Sequence, residues 1–322
     1  MRVDEYIYGV ARIRALESFL LTDDDISQII EAKDYDTALQ FIIDKGWGNG
    51  SYNLDEIVRE ETAKHKRVVD EIIKDASDKD ILMVDYDYHN LKAAIKKVCT
   101  DSKIPDESIY VEGRVDTGFI EDCIRESEYD KLPDEVSDAA KRATDALLKS
   151  GDGQLCDVIV DKALLERIME IKKNHENTLI RDYADMKVAI ADIKIAIRAA
   201  LSGKDDTFLK NALVECEGIS VTDLIASIKD GIDGVCDYLS TTAFSDLATA
   251  IKKSKSYFEC KCDNKIIDRI KNQKYESFSV GPILAYSLAR ENEIKTVKII
   301  LSGKMNGFDN DFIRERVRIM YA

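Results

Sequence analysis

Proline is nearly absent from this chain of 322 residues, occurring only at Pro105, Pro133 and Pro282. A proline removes a backbone donor and clashes with the preceding turn, so its scarcity leaves long stretches free to run as helix. Histidine is just as rare. His65, His89 and His175 lie far apart on charged segments, and His89 reads as an interior polar residue or a partner contact. No Gly-x-Ser-x-Gly elbow supplies a hydrolase nucleophile. No apolar run approaches the ~20 residues of a membrane span. Basic charge is also short: 47 Lys and Arg stand against 62 Asp and Glu, a net charge of −15. Such a surface opposes non-specific binding to nucleic acid or anionic lipid, which relies on Lys and Arg at phosphates.

Seven cysteines are scattered at positions 99, 123, 156, 216, 236, 260 and 262. Their odd number and lack of pattern, with an acidic amphipathic segment rather than a secretory signal near the N-terminus, predict reduced thiols in a cytoplasmic protein. Cys260-Lys-Cys262 is the single close pair, and no second pair or nearby histidine completes a zinc site.

What is present is repetition. Leu-Ser-Gly-Lys occurs at Leu201–Lys204 and again at Leu301–Lys304, one hundred residues apart. Each copy closes a similar helical stretch, one beginning at Asp192 and one at Asn292, and a fainter copy runs from Asn90 to Asp101. Apolar stripes at helical period accompany them: Ile81, Val84, Tyr88, Leu91, Ile95 and Val98 in the first, and Leu179 through Leu201 in the second. The second stripe also aligns in another register, with Asp182 on Asp87. Gly203 and Gly303 are expected at left-handed helix stops, with Lys204 and Lys304 near the negative dipole end. Thr22-Asp-Asp-Asp predicts a helix N-terminus, and Gly46-Trp-Gly-Asn-Gly predicts a stop needing positive φ. No convincing β-alternation appears. The expected fold is all-α, in three similar helical lobes spanning 1–103, 104–204 and 205–322.

The doubled Gly-Lys lacks the upstream glycine and the hydroxyl of a phosphate-binding loop. Carboxylates are so abundant that no pair is singled out for acid–base work. No catalytic, cofactor or metal site is therefore expected, and a shaped, non-catalytic part is the natural reading. Polar groups at equivalent repeat positions, Asn90, Asp192 and Asn292, would fix helix packing or face a shared axis.

Family resemblance enters at the C-terminus. The passage from Gly281-Pro-Ile-Leu-Ala-Tyr to Ile300-Leu-Ser-Gly-Lys-Met-Asn-Gly, followed by Ile313-Arg-Glu-Arg-Val-Arg, resembles the end of the C subunit of V-type (A/V-type) ATPases, the family of the eukaryotic d subunit. Tyr6-Ile-Tyr-Gly-Val-Ala-Arg-Ile-Arg-Ala-Leu-Glu, Leu20-Leu-Thr-Asp-Asp-Asp-Ile and Asp87-Tyr-His-Asn-Leu-Lys resemble its opening and middle, whereas 103–178 offers little to match. The resemblance implies three lobes in a pseudo-threefold funnel. It also implies a single copy, peripheral on the cytoplasmic face of the membrane, without cofactor. Its partners would be the central-stalk subunits and the membrane rotor ring, between which it passes torque for proton or sodium transport. A general helical-repeat protein-binding scaffold is the alternative.

Residues 121–138 hold eight acidic and two basic side chains, while 281–322 hold seven basic and five acidic. Different partners for different lobes would follow. Candidate interface residues are Arg12, Arg14, Asn90, Asp192, Asn292, Arg314, Arg316 and Arg318.

Overall fold

The computed structural model describes residues 3–322, and among them the chain is helix after helix with no β-strand. The order is α1 (Val3–Glu17), α2 (Asp23–Glu31), α3 (Tyr35–Asp44), α4 (Leu54–Ile72), α5 (Ala76–Thr100), α6 (Asp106–Ile109), α7 (Thr117–Arg125), α8 (Asp134–Ser150) and α9 (Gly153–Asn174). It continues with α10 (Thr178–Ser202), α11 (Asp206–Ala212), α12 (Val221–Ile228), α13 (Gly231–Ser240), α14 (Ser245–Lys253), α15 (Lys255–Ile270), α16 (Gly281–Met305) and α17 (Asn310–Arg314). These helices form two compact units. One comprises residues up to 78, 177–180 and 244–322; the other comprises 79–176 and 181–243.

In the first unit, local signals set the helix starts. Thr22 Oγ1 accepts the Asp25 amide at 3.1 Å while the Asp25 carboxylate accepts the Thr22 amide at 3.0 Å, a reciprocal cap that opens α2. Positive φ at Gly46, Gly48 and Gly50 (90°, 78° and 91°) turns the chain between α3 and α4, as the glycine-rich stop predicts. The core gathers Ile26, Ile29 and Ile42 from α2 and α3, Trp47, Ile57 from α4, and Val297, Ile300 and Leu301 from α16. Each such side chain contributes roughly 1.5–3 kcal/mol by leaving water. The second unit is built on α8 against α9 and α12 against α13. Tyr88 Oη donates to the Glu135 carbonyl at 2.7 Å, and the Ser220 amide donates to Tyr238 Oη at 2.8 Å.

The repeat is visible as three helices of equal length, since α5, α10 and α16 each span 25 residues. Their starts at Ala76, Thr178 and Gly281 favour the alignment of Asp192 with Asn90 over the alternative register of Asp182 on Asp87. All three end in one closure, in which a left-handed residue lets the next amide reach back five residues. Asp101 (φ 47°) lets the Ser102 amide reach the Lys97 carbonyl at 3.0 Å. Gly203 (φ 64°) does the same for Lys204 and Ala199 at 3.3 Å. Gly307 (φ 71°) does so for Phe308 and Gly303 at 3.0 Å.

Gly303 itself departs from expectation. It lies within α16, buried, and is no stop. A Cβ there would stand 2.8 Å from Ile313 Cγ1, so glycine at this position lets α17 pack closely on α16. The two copies of Leu-Ser-Gly-Lys thus have different physical roles.

Candidate interaction surface

The polar repeat positions prove to be anchors for the segment that follows each long helix. Asn90 donates Nδ2 to the Val111 carbonyl at 2.8 Å and accepts the Val111 amide at 3.0 Å. Asp192 accepts the Val214 amide at 3.3 Å, and Asn292 donates Nδ2 to the Ile319 carbonyl at 3.0 Å. All three side chains are buried, where a backbone group must find a partner. Burial pushes the Asp192 carboxyl up to about 8; the Val214 amide pulls it down, Glu215 raises it and Lys162 lowers it.

The arginines divide by what they hold. Arg14 donates to Glu17 and, through Nη2, to the carbonyls of Gln273 at 2.6 Å and Glu276 at 2.7 Å, so α1 holds the turn before α16. Arg318 is buried, with Nε on the Asp263 carboxylate at 2.9 Å and Nη1 on the Arg316 carbonyl. It belongs to a clamp on the tail after α17: Asn264 Oδ1 accepts the Ile319 amide at 3.0 Å, and Asp23 Oδ1 accepts that of Met320 at 2.9 Å. Arg12, Arg314 and Arg316 have part-exposed side chains, as Arg14 does, and meet surface carboxylates or, for Arg316, the nearby Phe312 carbonyl at 2.7 Å. Arg12 pairs with Glu71 at 2.5 Å, and Arg314 pairs with Glu31 and Asp311. Arg316 lies 3.4 Å from the Phe312 ring centroid, and Phe312 in turn packs on Phe308 with centroids 4.6 Å apart. Phe308, Phe312 and Met305 are all exposed, so the basic tail sits on an aromatic ledge.

A buried ionic knot in the first unit went unread in the sequence. Arg290 of α16 pairs with Glu61 of α4 and with Glu293, and lies 4.4 Å from the Trp47 ring centroid. Glu61 also accepts the Gly48 amide at 3.0 Å, and Glu293 accepts that of Leu21 at 2.5 Å. Two helix joints are thereby tied to α16. Burial raises the Glu293 carboxyl while Arg290 lowers it. The signal was available in α4, whose buried stripe Leu54, Ile57, Glu61, His65, Val69 and Ile72 puts two polar residues at core-facing positions.

Among the described residues no group of three or more His, Cys, Asp or Glu is arranged to hold a metal ion, and no helix is long and apolar enough to cross a membrane. No disulfide joins any of the seven cysteines.

The sequence model of the family described as ATP synthase (C/AC39) subunit matches residues 9–316. The chain belongs to that family. It is 21% identical over 241 residues to the C subunit of the V-type sodium ATPase of Enterococcus hirae, covering 73% of each chain. It is 25% identical over 318 residues to the C subunit of the A-type ATP synthase of Pyrococcus horikoshii, covering 92% of this chain and 85% of that one. It is 23% identical to the corresponding A-type ATP synthase C subunit of Methanocaldococcus jannaschii, covering 96% and 85%. The match includes all three long helices and residues 103–178, where the resemblance is faint. By name, these relatives are subunits of a V-type sodium ATPase and of A-type ATP synthases.

Proposed function

We propose that this chain is the rotor adaptor of a V-type ATPase or ATP synthase, a non-catalytic part that couples the central stalk to the membrane ring. It passes torque for proton or sodium transport, one copy to a complex, peripheral on the cytoplasmic face. Three lobes, near 1–103, 104–204 and 205–322, would surround the axis as a funnel. The observation that carries this reading is the family match over nearly the whole chain. The repeated long helices with a common closure support it, since equivalent elements suit an arrangement about an axis. Close-packed helices suit the task because such interiors have low compressibility and transmit strain.

Arg12, Arg314 and Arg316 are the proposed partner contacts, because their part-exposed side chains meet surface carboxylates or a nearby carbonyl, whereas the similarly exposed Arg14 is committed to the carbonyls of Gln273 and Glu276. The other five candidates would act at a partner only through the segments they hold. The test is co-purification from native membranes: the tagged chain should bring down stalk and ring subunits without ATP. The double variant Arg314→Glu/Arg316→Glu should weaken that association. Failure of the unaltered chain to associate with either partner refutes the adaptor reading. Scattering in solution separates a funnel from the open stack expected of a general scaffold.

A further inference from the structure

Positive charge in the first unit is concentrated on one stretch. Residues 252–274 hold eight Lys or Arg and three Asp or Glu, a local net of +5 on a chain whose total is −15. The stretch covers the last turn of α14, all of α15 and the turn that follows. Three observations define what it would meet.

The first concerns pairing. Of the three carboxylates in the stretch, Asp263 is taken by Lys295 and by Arg318 at 2.9 Å, both from outside it. Lys265 reaches Asp246 at 2.8 Å. Lys261 and Lys274 lie against the rings of Tyr257 and Tyr321, with centroids 5.4 and 4.8 Å away. Neither they nor Lys255 and Lys271 pair with a carboxylate among the described residues.

The second concerns local cost. Lys261, Lys265 and Arg269 recur at i, i+4 and i+8 on one face of α15, where like charges repel. Lys255 opens the same helix, where the backbone dipole is positive. A charge pattern that works against its own helix is expected where a partner offsets it.

The third concerns spacing. Successive members of the i, i+4 series stand about 6 Å apart along the helix. Lys253 is held 3.9 Å from the centroid of Tyr257, the ring that Lys261 also faces, so two ammonium groups are oriented before any partner arrives. Carboxylates at the same spacing on another helix match this series. An anionic membrane matches it poorly, because a plane of phosphates would also meet the exposed carboxylates of Asp246 and Asp268 beside it. We propose that the stripe of Lys255, Lys261, Lys265 and Arg269 docks an acidic helix of a partner protein. The inference does not rest on the adaptor reading, since its probe is a peptide in solution.

The full-length protein is titrated with a labelled, alanine-rich helical peptide bearing glutamate at every fourth position, and binding is read by fluorescence anisotropy. Saturable binding is expected at low salt, weakening steeply as added salt screens the charges. Lys255→Glu/Lys261→Glu breaks no ion pair, so the protein should stay folded and bind about tenfold more weakly. Arg142→Glu/Lys149→Glu, on α8 of the second unit, changes the net charge equally and should bind within about twofold of the unaltered protein. A peptide with the same number of glutamates spread around its helix should bind about threefold more weakly. No saturable binding, an equal loss in both double variants, or equal affinity for the spread peptide overturns the proposal. Stripe-dependent sedimentation with phosphatidylserine vesicles overturns it in favour of a membrane, and stripe-dependent self-association in favour of a second copy.

Discussion

Asp192→Asn should make this protein more stable at pH 8 and about 1–3 kcal/mol less stable in acid, where only the cost of its added N–H remains. Within the repeat, Asn90 and Asn292 are amides while Asp192 between them is a carboxyl, buried and bonded to the Val214 amide. Its titration point rises from 3.8 to about 8, mainly through burial. A carboxyl raised on folding imposes no penalty below the unfolded value. As pH climbs from about 4 to 8 the unfolded chain ionises while the folded chain resists, so stability drains away across that window. At 1.36 kcal/mol per unit, the accumulated cost near pH 8 is on the order of 5 kcal/mol. The amide cannot ionise and still accepts the Val214 bond through Oδ1. Its added N–H needs a carbonyl and forfeits roughly 1–3 kcal/mol if it finds none. The net gain at pH 8 is then roughly 2–4 kcal/mol, or about 3–6 °C in Tm for a chain of this size. Thermal melts of both proteins across pH 4.5 to 8.5 measure it. A difference in Tm that does not grow with pH, or a variant less stable at pH 8, refutes the assignment of Asp192 as a buried, protonated anchor.

Other outcomes follow from the same structure. Gly203→Ala places a side chain at φ 64° with open space around it, so the cost should be about 1–2 kcal/mol of backbone strain alone, unaffected by Ile313→Ala. Gly303→Ala meets Ile313 instead and should cost about 1–3 kcal/mol, a loss that disappears in an Ile313→Ala background, as denaturant titration of the double variant would show. His65, lowered to about 4 by burial and Arg290, stays neutral on folding and contributes fully above pH 6.5; about 3 kcal/mol is lost as pH falls towards 4, and an NMR midpoint above 6 for its ring would contradict this. Arg290→Ala leaves Glu61 and Glu293 buried without their cation and should cost about 3–5 kcal/mol by chemical denaturation, more than Arg290→Ala/Glu61→Gln.

The legible parts of the fold were those written in local pattern. Helix stripes, the acidic cap before α2 and the glycine stop after α3 each depend on residues a few positions apart, so sequence exposes them. The equivalence of Asn90, Asp192 and Asn292 was legible too, as a recurrence in order and spacing. Its purpose was not, because the carbonyls and amides they hold lie 21 to 27 residues downstream and carry no side-chain signature. The Arg290 knot was further out of reach. Glu61 is one of 62 acidic residues and its partner stands 229 positions away. Only its place in the buried register of α4 hinted that it was no solvated charge.

The doubled tetrapeptide shows why a repeat can be real while its residues change duty. After Gly203 and Lys204 comes Asp205, whose carboxylate accepts the Phe208 amide at 2.7 Å and starts α11, so the long helix must stop at once. After Gly303 and Lys304 come Met305, Asn306 and Gly307. Here nothing calls for an early stop, and the helix continues until Gly307 can turn left-handed. The position freed at Gly303 is then used for contact with Ile313, and Lys304 donates to the Ala32 carbonyl at 2.7 Å. In the first copy Asp101 adopts the same turn without any glycine, which a short polar side chain tolerates. The closure recurs at Asp101, Gly203 and Gly307 although the residue does not. What repeats within this chain is the geometry that ends each long helix, and so directs the segment its polar anchor must catch.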